Sequence, residues 1–261
     1  MNRALLGVAA IGLSLALAGC STAATPTPTP KQNPDTLTGT INVFAAASLT
    51  ETFPAIAIAF NAEHPNVTVT FNFGGSSGLA TQITQGAPAD VFAAASATTM
   101  KTVTDASLAD GDPTTFVTNT LEIAVPSTNP GKVTGLADFA NPDLVIVLCA
   151  VEVPCGAAAK TVLGKAGIVA SVDSFEQDVK SVLTKIEIDE ADAGLVYKTD
   201  VRSAGDKVKG IDFPEASAAV GKYPIALLSA STNKAAARAF IDFVLSPAGI
   251  KIMTDAGFGT P

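Results

Sequence analysis

The sequence predicts an α/β protein built as two lobes, each a mostly parallel sheet flanked by helices. Three observations carry this. From about residue 40 onward, apolar runs of strand length alternate with amphipathic runs of helical period, in a βαβαβ order. A second series of the same kind follows, with no internal repeat at a fixed period. The chain has 261 residues, 48% of them hydrophobic, which suits two lobes of about a hundred residues each better than one very large sheet.

The elements follow in order. Residues 1–20, "MNRALLGVAAIGLSLALAGC", join a positive charge at Arg3 to an apolar run too short for a membrane span, and end on Leu17, Ala18, Gly19 and Cys20. That is an export signal with a lipobox. Residues 21–39 are rich in Thr and Pro, bury no core, and read as a semi-extended tether. "TINVFAAA" predicts a strand; in "SLTETFPAIAIAFNAEHP", Leu49, Phe53, Ile56 and Phe60 fall on one helical face. Pro54 removes a helix N–H, so this helix is expected to start tight or to kink. "NVTVTFNF" alternates as a strand does, "SSGLATQITQG" reads as a helix closed by Gly86, and "ADVFAAAS" is a strand again. In the second series "TLEIAVP", "DLVIVLCA" and "AGLVY" predict strands, while "CGAAAKTVLGKAG" and "SFEQDVKSVLTKIE" predict helices. "YPIALLS" predicts a last strand, and "NKAAARAFIDFVLSPAG" a helix with Ala236, Phe240, Phe243 and Val244 on one face.

Composition narrows the function. The formal net charge is −8, there is no basic block, and the chain has two tyrosines and no tryptophan, so the basic footprint of a nucleic-acid binder is missing. Once Cys20 is assigned to the lipobox, Cys149 and Cys155 remain; in an exported chain such a pair reads as a disulfide closing a small loop. One histidine, His64, and two tyrosines are too few for a zinc or ferric-iron site.

Three strand ends give way to small residues and hydroxyls, at 45–48, 74–77 and 93–96. Small side chains let a ligand approach the backbone, and a serine at a helix start leaves N–H groups pointing outward, so these ends suit an anion. Taken alone, Ser48 and Ser76 would be ordinary helix caps. A fourth candidate is "VPCGAAA", where Pro154 starts a helix and leaves the amides of Cys155 and Gly156 exposed. Tyr197 ends a buried strand, where it serves either packing or the site. Asp90 reads as a structural carboxylate at a strand start. There is no Gly-x-Ser-x-Gly elbow, Walker loop or dinucleotide fingerprint, so no enzyme is expected; an exported hydrolase using Ser48 or Ser76 is the remote alternative.

The blocks "VFAAASLTETF", "FGGSSGLATQITQGAPADVFAAAS", "VPCGAAAKTVL", "QDVKSVLTKIEIDEADAGLVY" and "YPIALL", in this order, resemble the molybdate-binding subunit of ABC transporters. The resemblance spans nearly all of residues 41–260, and the lipobox and cysteine pair resemble its Gram-positive and mycobacterial lipoprotein form. It implies a two-lobe, type II periplasmic-binding-protein fold, with residues 40–122 plus 223–261 as lobe I, 123–222 as lobe II, and "TLEIAVP" and "YPIALL" as the crossing strands of the hinge. It implies that Ser48, Ser76, Ala95, Cys155, Val179 and Tyr197 contact a tetrahedral dianion, molybdate or tungstate, with sulfate as the alternative. Cys155 departs from the alanine common there; a contact through the backbone N–H tolerates the change. The implied partners are an ABC permease and, through an acyl chain on Cys20, the outer face of the cell membrane. The chain is expected to act as a monomer, without a cofactor and without catalysis.

Overall fold

The computed structural model describes residues 36–261; the signal segment, Cys20 and residues 21–35 of the tether lie outside the described residues. Residues 35–261 form one compact unit holding two five-stranded sheets.

The first sheet has the order β2-β1-β3-β10-β4, from strands Val67–Gly74 (β2), Gly39–Ala46 (β1), Val91–Ala93 (β3), Gly221–Leu227 (β10) and Thr114–Asn119 (β4). The second has the order β7-β6-β8-β5-β9, from Ser174–Glu176 (β7), Ile146–Cys149 (β6), Ala193–Tyr197 (β8), Leu121–Pro126 (β5) and Val208–Ile211 (β9). In each sheet only the fourth strand, β10 or β5, runs against the others. Both sheets therefore share one topology, mostly parallel with a single reversed strand.

That reversal is where the chain changes sheets. It leaves the first sheet at Thr120, between β4 and β5, and returns at Val220, just before β10. The crossings lead directly into the two expected strands, β5, which pairs within the second sheet, and β10, which pairs within the first. Single residues, Thr120 and Val220, make the crossings.

Helices Thr52–Glu63 (α1), Ser76–Thr84 (α2), Ala97–Asp105 (α3), Lys234–Leu245 (α7) and Pro247–Asp255 (α8) flank the first sheet. The predicted α1 face is buried, with Leu49, Phe53, Ile56 and Phe60 at 0% exposure. Pro54 does not kink α1. It lies in the first turn, where backbone N–H groups have no intrahelical acceptor. The tight start is instead a separate 3-10 turn, Ala47–Leu49, closed by the Thr50 amide on Ala47. Pro154–Ala166 (α4), Val179–Glu187 (α5) and Lys198–Ala204 (α6) cover the second sheet.

Two predicted helices are divided. "SFEQDVKSVLTKIE" begins as β7 and becomes helical only at Val179, because Asp178 accepts the Ser181 amide at 2.9 Å and caps α5. "NKAAARAFIDFVLSPAG" breaks after Leu245, where Ser246 caps α8 and Pro247 opens it.

Candidate anion-binding site

The carboxyl ends of β1, β2, β3 and β8, with the loop after β6, converge on a small cavity between the sheets. Its walls come from Ala46 and Ala47, Gly74 to Ser76, Ala95, Val153 to Cys155, Asp178, Val179 and Tyr197. Ligands collect at this edge of an open α/β sheet because strand ends there lead into helix N-termini. Three helices, α2, α4 and α5, begin at the cavity. Their first-turn N–H groups have no intrahelical acceptor, and their dipoles favour negative charge.

Five of the six predicted site residues line this cavity: Ser76, Ala95, Cys155, Val179 and Tyr197. Ser48 stands one residue behind the wall formed by Ala46 and Ala47, with its Oγ 2.9 Å from the Tyr223 Oη. The Ala95 amide donates to Ser76 Oγ at 3.0 Å. Ala95 is therefore wall, and the Ser76 hydroxyl, having accepted one bond, keeps its proton to donate.

At α4, Cys149 and Cys155 form the expected disulfide, with a Cα–Cα separation of 5.7 Å. It ties the end of β6 to the first turn of α4. Gly156 is needed beside it, since a Cβ there would run into the carbonyl of Ala150.

Among the described residues, no lysine or arginine side chain lines the cavity. The Asp178 carboxylate is engaged by the amide and hydroxyl of Ser181. Burial, then the charge of Asp200, pushes the Tyr197 phenol well above its usual range, so it stays protonated. Asp200, fully buried, accepts the Tyr197 amide at 3.0 Å and so fixes the end of β8. Lys180 contacts Asp200 at 3.0 Å and reaches across the cleft to Glu51 at 2.8 Å. Burial works against its charge, but the two carboxylates hold it protonated above its usual range.

The cleft is shut. Ser77 Oγ donates to the carbonyl of Glu152 at 2.5 Å, and Ala47 packs into the core of the second sheet. Gly75 lies so close to the carbonyl of Gln177 that no side chain would fit.

Sequence reasoning missed Tyr223, Asn119 and Lys180. Tyr223 alone carried a signal, as the second of two tyrosines in a chain without tryptophan. Asp90 is the structural carboxylate expected, accepting from the Asn42 amide and the Ser231 hydroxyl. His64 follows the last residue of α1 and stacks near Phe60, with ring centroids 4.6 Å apart. It lies at the far end of α1 from Ser48, against Phe60. Among the described residues there is no cluster of metal-ligating side chains, and no helix is long and apolar enough to cross a membrane.

Comparison with known proteins agrees with this architecture. Residues 41–259 match the model of a bacterial extracellular solute-binding protein family. The molybdate-binding protein ModA of Mycobacterium tuberculosis is 45% identical over 222 residues, covering 85% of each chain. Two solved structures share the fold: a periplasmic molybdate-binding protein of Azotobacter vinelandii (TM-score 0.74, 20% identity, 85% of this chain and 99% of that one) and the sulfate-binding protein SubI of M. tuberculosis (TM-score 0.72, 19% identity, 84% and 86%). With two sheets of one topology closing on a cavity of helix N-termini, and with a match over nearly the whole described chain, this protein belongs to the bacterial extracellular solute-binding protein family.

Proposed function

We propose that this protein captures molybdate, and tungstate with it, between its two lobes and delivers it to an ABC permease. A lipid on Cys20 would hold it at the outer face of the cell membrane. The observation that carries the reading is a closed cavity furnished with neutral donors and no cation. Such a cavity stabilises a dianion by hydrogen bonds from fixed N–H and O–H groups, which gain strength where water is excluded.

The one carboxylate in the wall, Asp178, is engaged by Ser181, so the lining also selects by its donors. A monoprotonated oxyanion would bring an O–H with no acceptor to meet it, and an unpaired buried polar group costs about 1–3 kcal/mol. Sulfate carries the same charge and shape as molybdate and is smaller, so it is resisted only by cavity size. The shared fold of a molybdate binder and a sulfate binder leaves that choice to the site. The 45% identity to a molybdate-binding protein supports molybdate.

Closure is a hinge motion at Thr120 and Val220, in which the bound anion joins donors from both lobes and so favours the shut state. The test is calorimetric titration with molybdate, tungstate, sulfate and phosphate. Binding heat with the first two and much weaker or no heat with the others is expected; silence with molybdate and tungstate refutes the reading.

A further inference from the structure

The Cys149–Cys155 bridge closes the turn from Ala150 to Pro154, and the first lobe shuts onto that same turn. Glu152 offers its carbonyl to the Ser77 hydroxyl at 2.5 Å, and a Cγ of Val153 lies 3.5 Å from where a Cβ on Gly75 would stand. Val153, Pro154 and Cys155 form one wall of the anion cavity. One short, cross-linked segment therefore carries both a closing contact and part of the site.

Within the second lobe the turn is tied down at its start, where the Ala150 amide donates to the Glu176 carbonyl at 2.8 Å and the Val153 amide to the Ala150 carbonyl at 3.1 Å. Val151 and Glu152 are exposed at its tip. Joining the two ends of such a turn removes conformations that an open chain would sample. A turn already in its closed shape does not have to be ordered when the lobes meet, and binding is tighter by that difference.

We propose that the Cys149–Cys155 bridge is a redox-sensitive positioning element for anion capture: oxidised, it holds the turn in the shape onto which the first lobe closes, and reduced, it frees the turn and loosens the hold on the anion. The reductant is a dithiol. Its thiolate attacks one sulfur of the bridge, the other sulfur leaves as a thiolate, and the second thiol completes the exchange, so that the dithiol becomes a disulfide while Cys149 and Cys155 together gain two electrons and two protons. The role rests on the molybdate reading and adds a regulation to it. It is also reciprocal, since a bridge that tightens anion binding by a given factor is made harder to reduce, by the same factor, when the anion is bound. Simple covering of the sulfurs would slow reduction without moving its equilibrium. Cys149 also lines a second groove whose walls, among them Val151, Leu163 and Phe175, all belong to the second lobe.

The experiment has two arms. In the first, calorimetry compares the molybdate Kd of the oxidised wild type with that of Cys149→Ala/Cys155→Ala, and a rise of about tenfold is expected, within the usual range of coupling between sites. In the second, the wild type is equilibrated with dithiol and disulfide forms of dithiothreitol, with and without saturating tungstate, which replaces molybdate because thiols reduce molybdate. Trapped thiols counted by mass spectrometry are expected to show that tungstate raises the dithiol-to-disulfide ratio at half-reduction by the same factor, about tenfold. An unchanged Kd overturns the role, and so does a half-reduction ratio that tungstate does not move, since the lost affinity would then come from the replaced side chains. If the variant does not fold, reduced wild type takes its place, with its fold checked by circular dichroism. A chain that unfolds on reduction also overturns the role, because the bridge would then serve the whole fold. Absence of heat with molybdate in the oxidised wild type overturns the molybdate reading itself, whereas wild-type binding that is indifferent to the bridge overturns the redox role alone.

Discussion

Tyr197 shows how much of the site rests on the surroundings of one side chain. At 2% exposure, and with Asp200 buried beside it, its phenol resists ionisation, and Tyr223 behaves alike for the same leading reason, burial. An unfolded tyrosine ionises near pH 10. A group whose folded pKa is raised contributes stability that is present below the unfolded value and is lost as pH rises above it. The protein is therefore expected to hold its stability up to about pH 10 and lose it steeply beyond, the sign set by these two phenols. Urea midpoints measured on either side of about pH 10 check this. Tyrosinate absorbance should appear only together with unfolding, and a gradual native titration near pH 10 would contradict the burial argument. In the sequence Tyr197 was legible as a strand-end tyrosine, but its resistance to ionisation was not, because the burial and charge that cause it come from the fold.

At the scale of elements, the strand ends and helix starts were legible wherever composition changed abruptly. "GGSSG" and "VPCG" became the first turns of α2 and α4 because small residues and Pro154 mark a helix N-terminus in any context. Short elements escaped: β7, β9 and α6 have three, four and seven residues, too few for a period to register. Gly75 illustrates a constraint that belongs to two elements at once. Its backbone, at φ −59° and ψ 125°, accepts any residue, yet a Cβ would collide with the Gln177 carbonyl that precedes α5. Gly75→Ala is thus expected to leave each lobe folded and to obstruct closure. Molybdate affinity should fall at least about a hundredfold, which is nearly 3 kcal/mol, while the ligand-free melting temperature stays within a degree or two. Calorimetry beside a thermal melt separates the two, and an unimpaired affinity would mean that the closed contact is not required for binding.

The whole molecule is held shut by few polar contacts across the cleft, and Lys180 is the chief one. It belongs to the second lobe, where the fully buried Asp200 anchors it, and it reaches Glu51 of the first, which is 47% exposed. Glu51→Gln removes the cross-cleft half and leaves the buried pair intact. A partly exposed ion pair contributes up to about 1 kcal/mol, so bound molybdate is expected to leave roughly two- to fivefold faster. Stopped-flow tyrosine fluorescence measures this directly, since both tyrosines of the chain lie at the site and there is no tryptophan. The difference from wild type should fade at about 1 M salt, where charges are screened within about 3 Å; a difference that persists would point to a cause other than charge.

The sequence by itself determined the α/β class, the alternation that builds both sheets and the cysteine pair, because each rests on local composition or period, while its resemblance to a family pointed to five residues that meet in one cavity. Only the tertiary structure decided the reversed strand that carries the chain between sheets, the closure of Gly75 on Gln177, the pairing of Ala95 with Ser76, and the contact of Tyr223 with Ser48. Those contacts join residues from 19 to 175 positions apart. A period of two or of 3.6 residues says which face is buried, and it holds no information on which distant hydroxyl that face will meet.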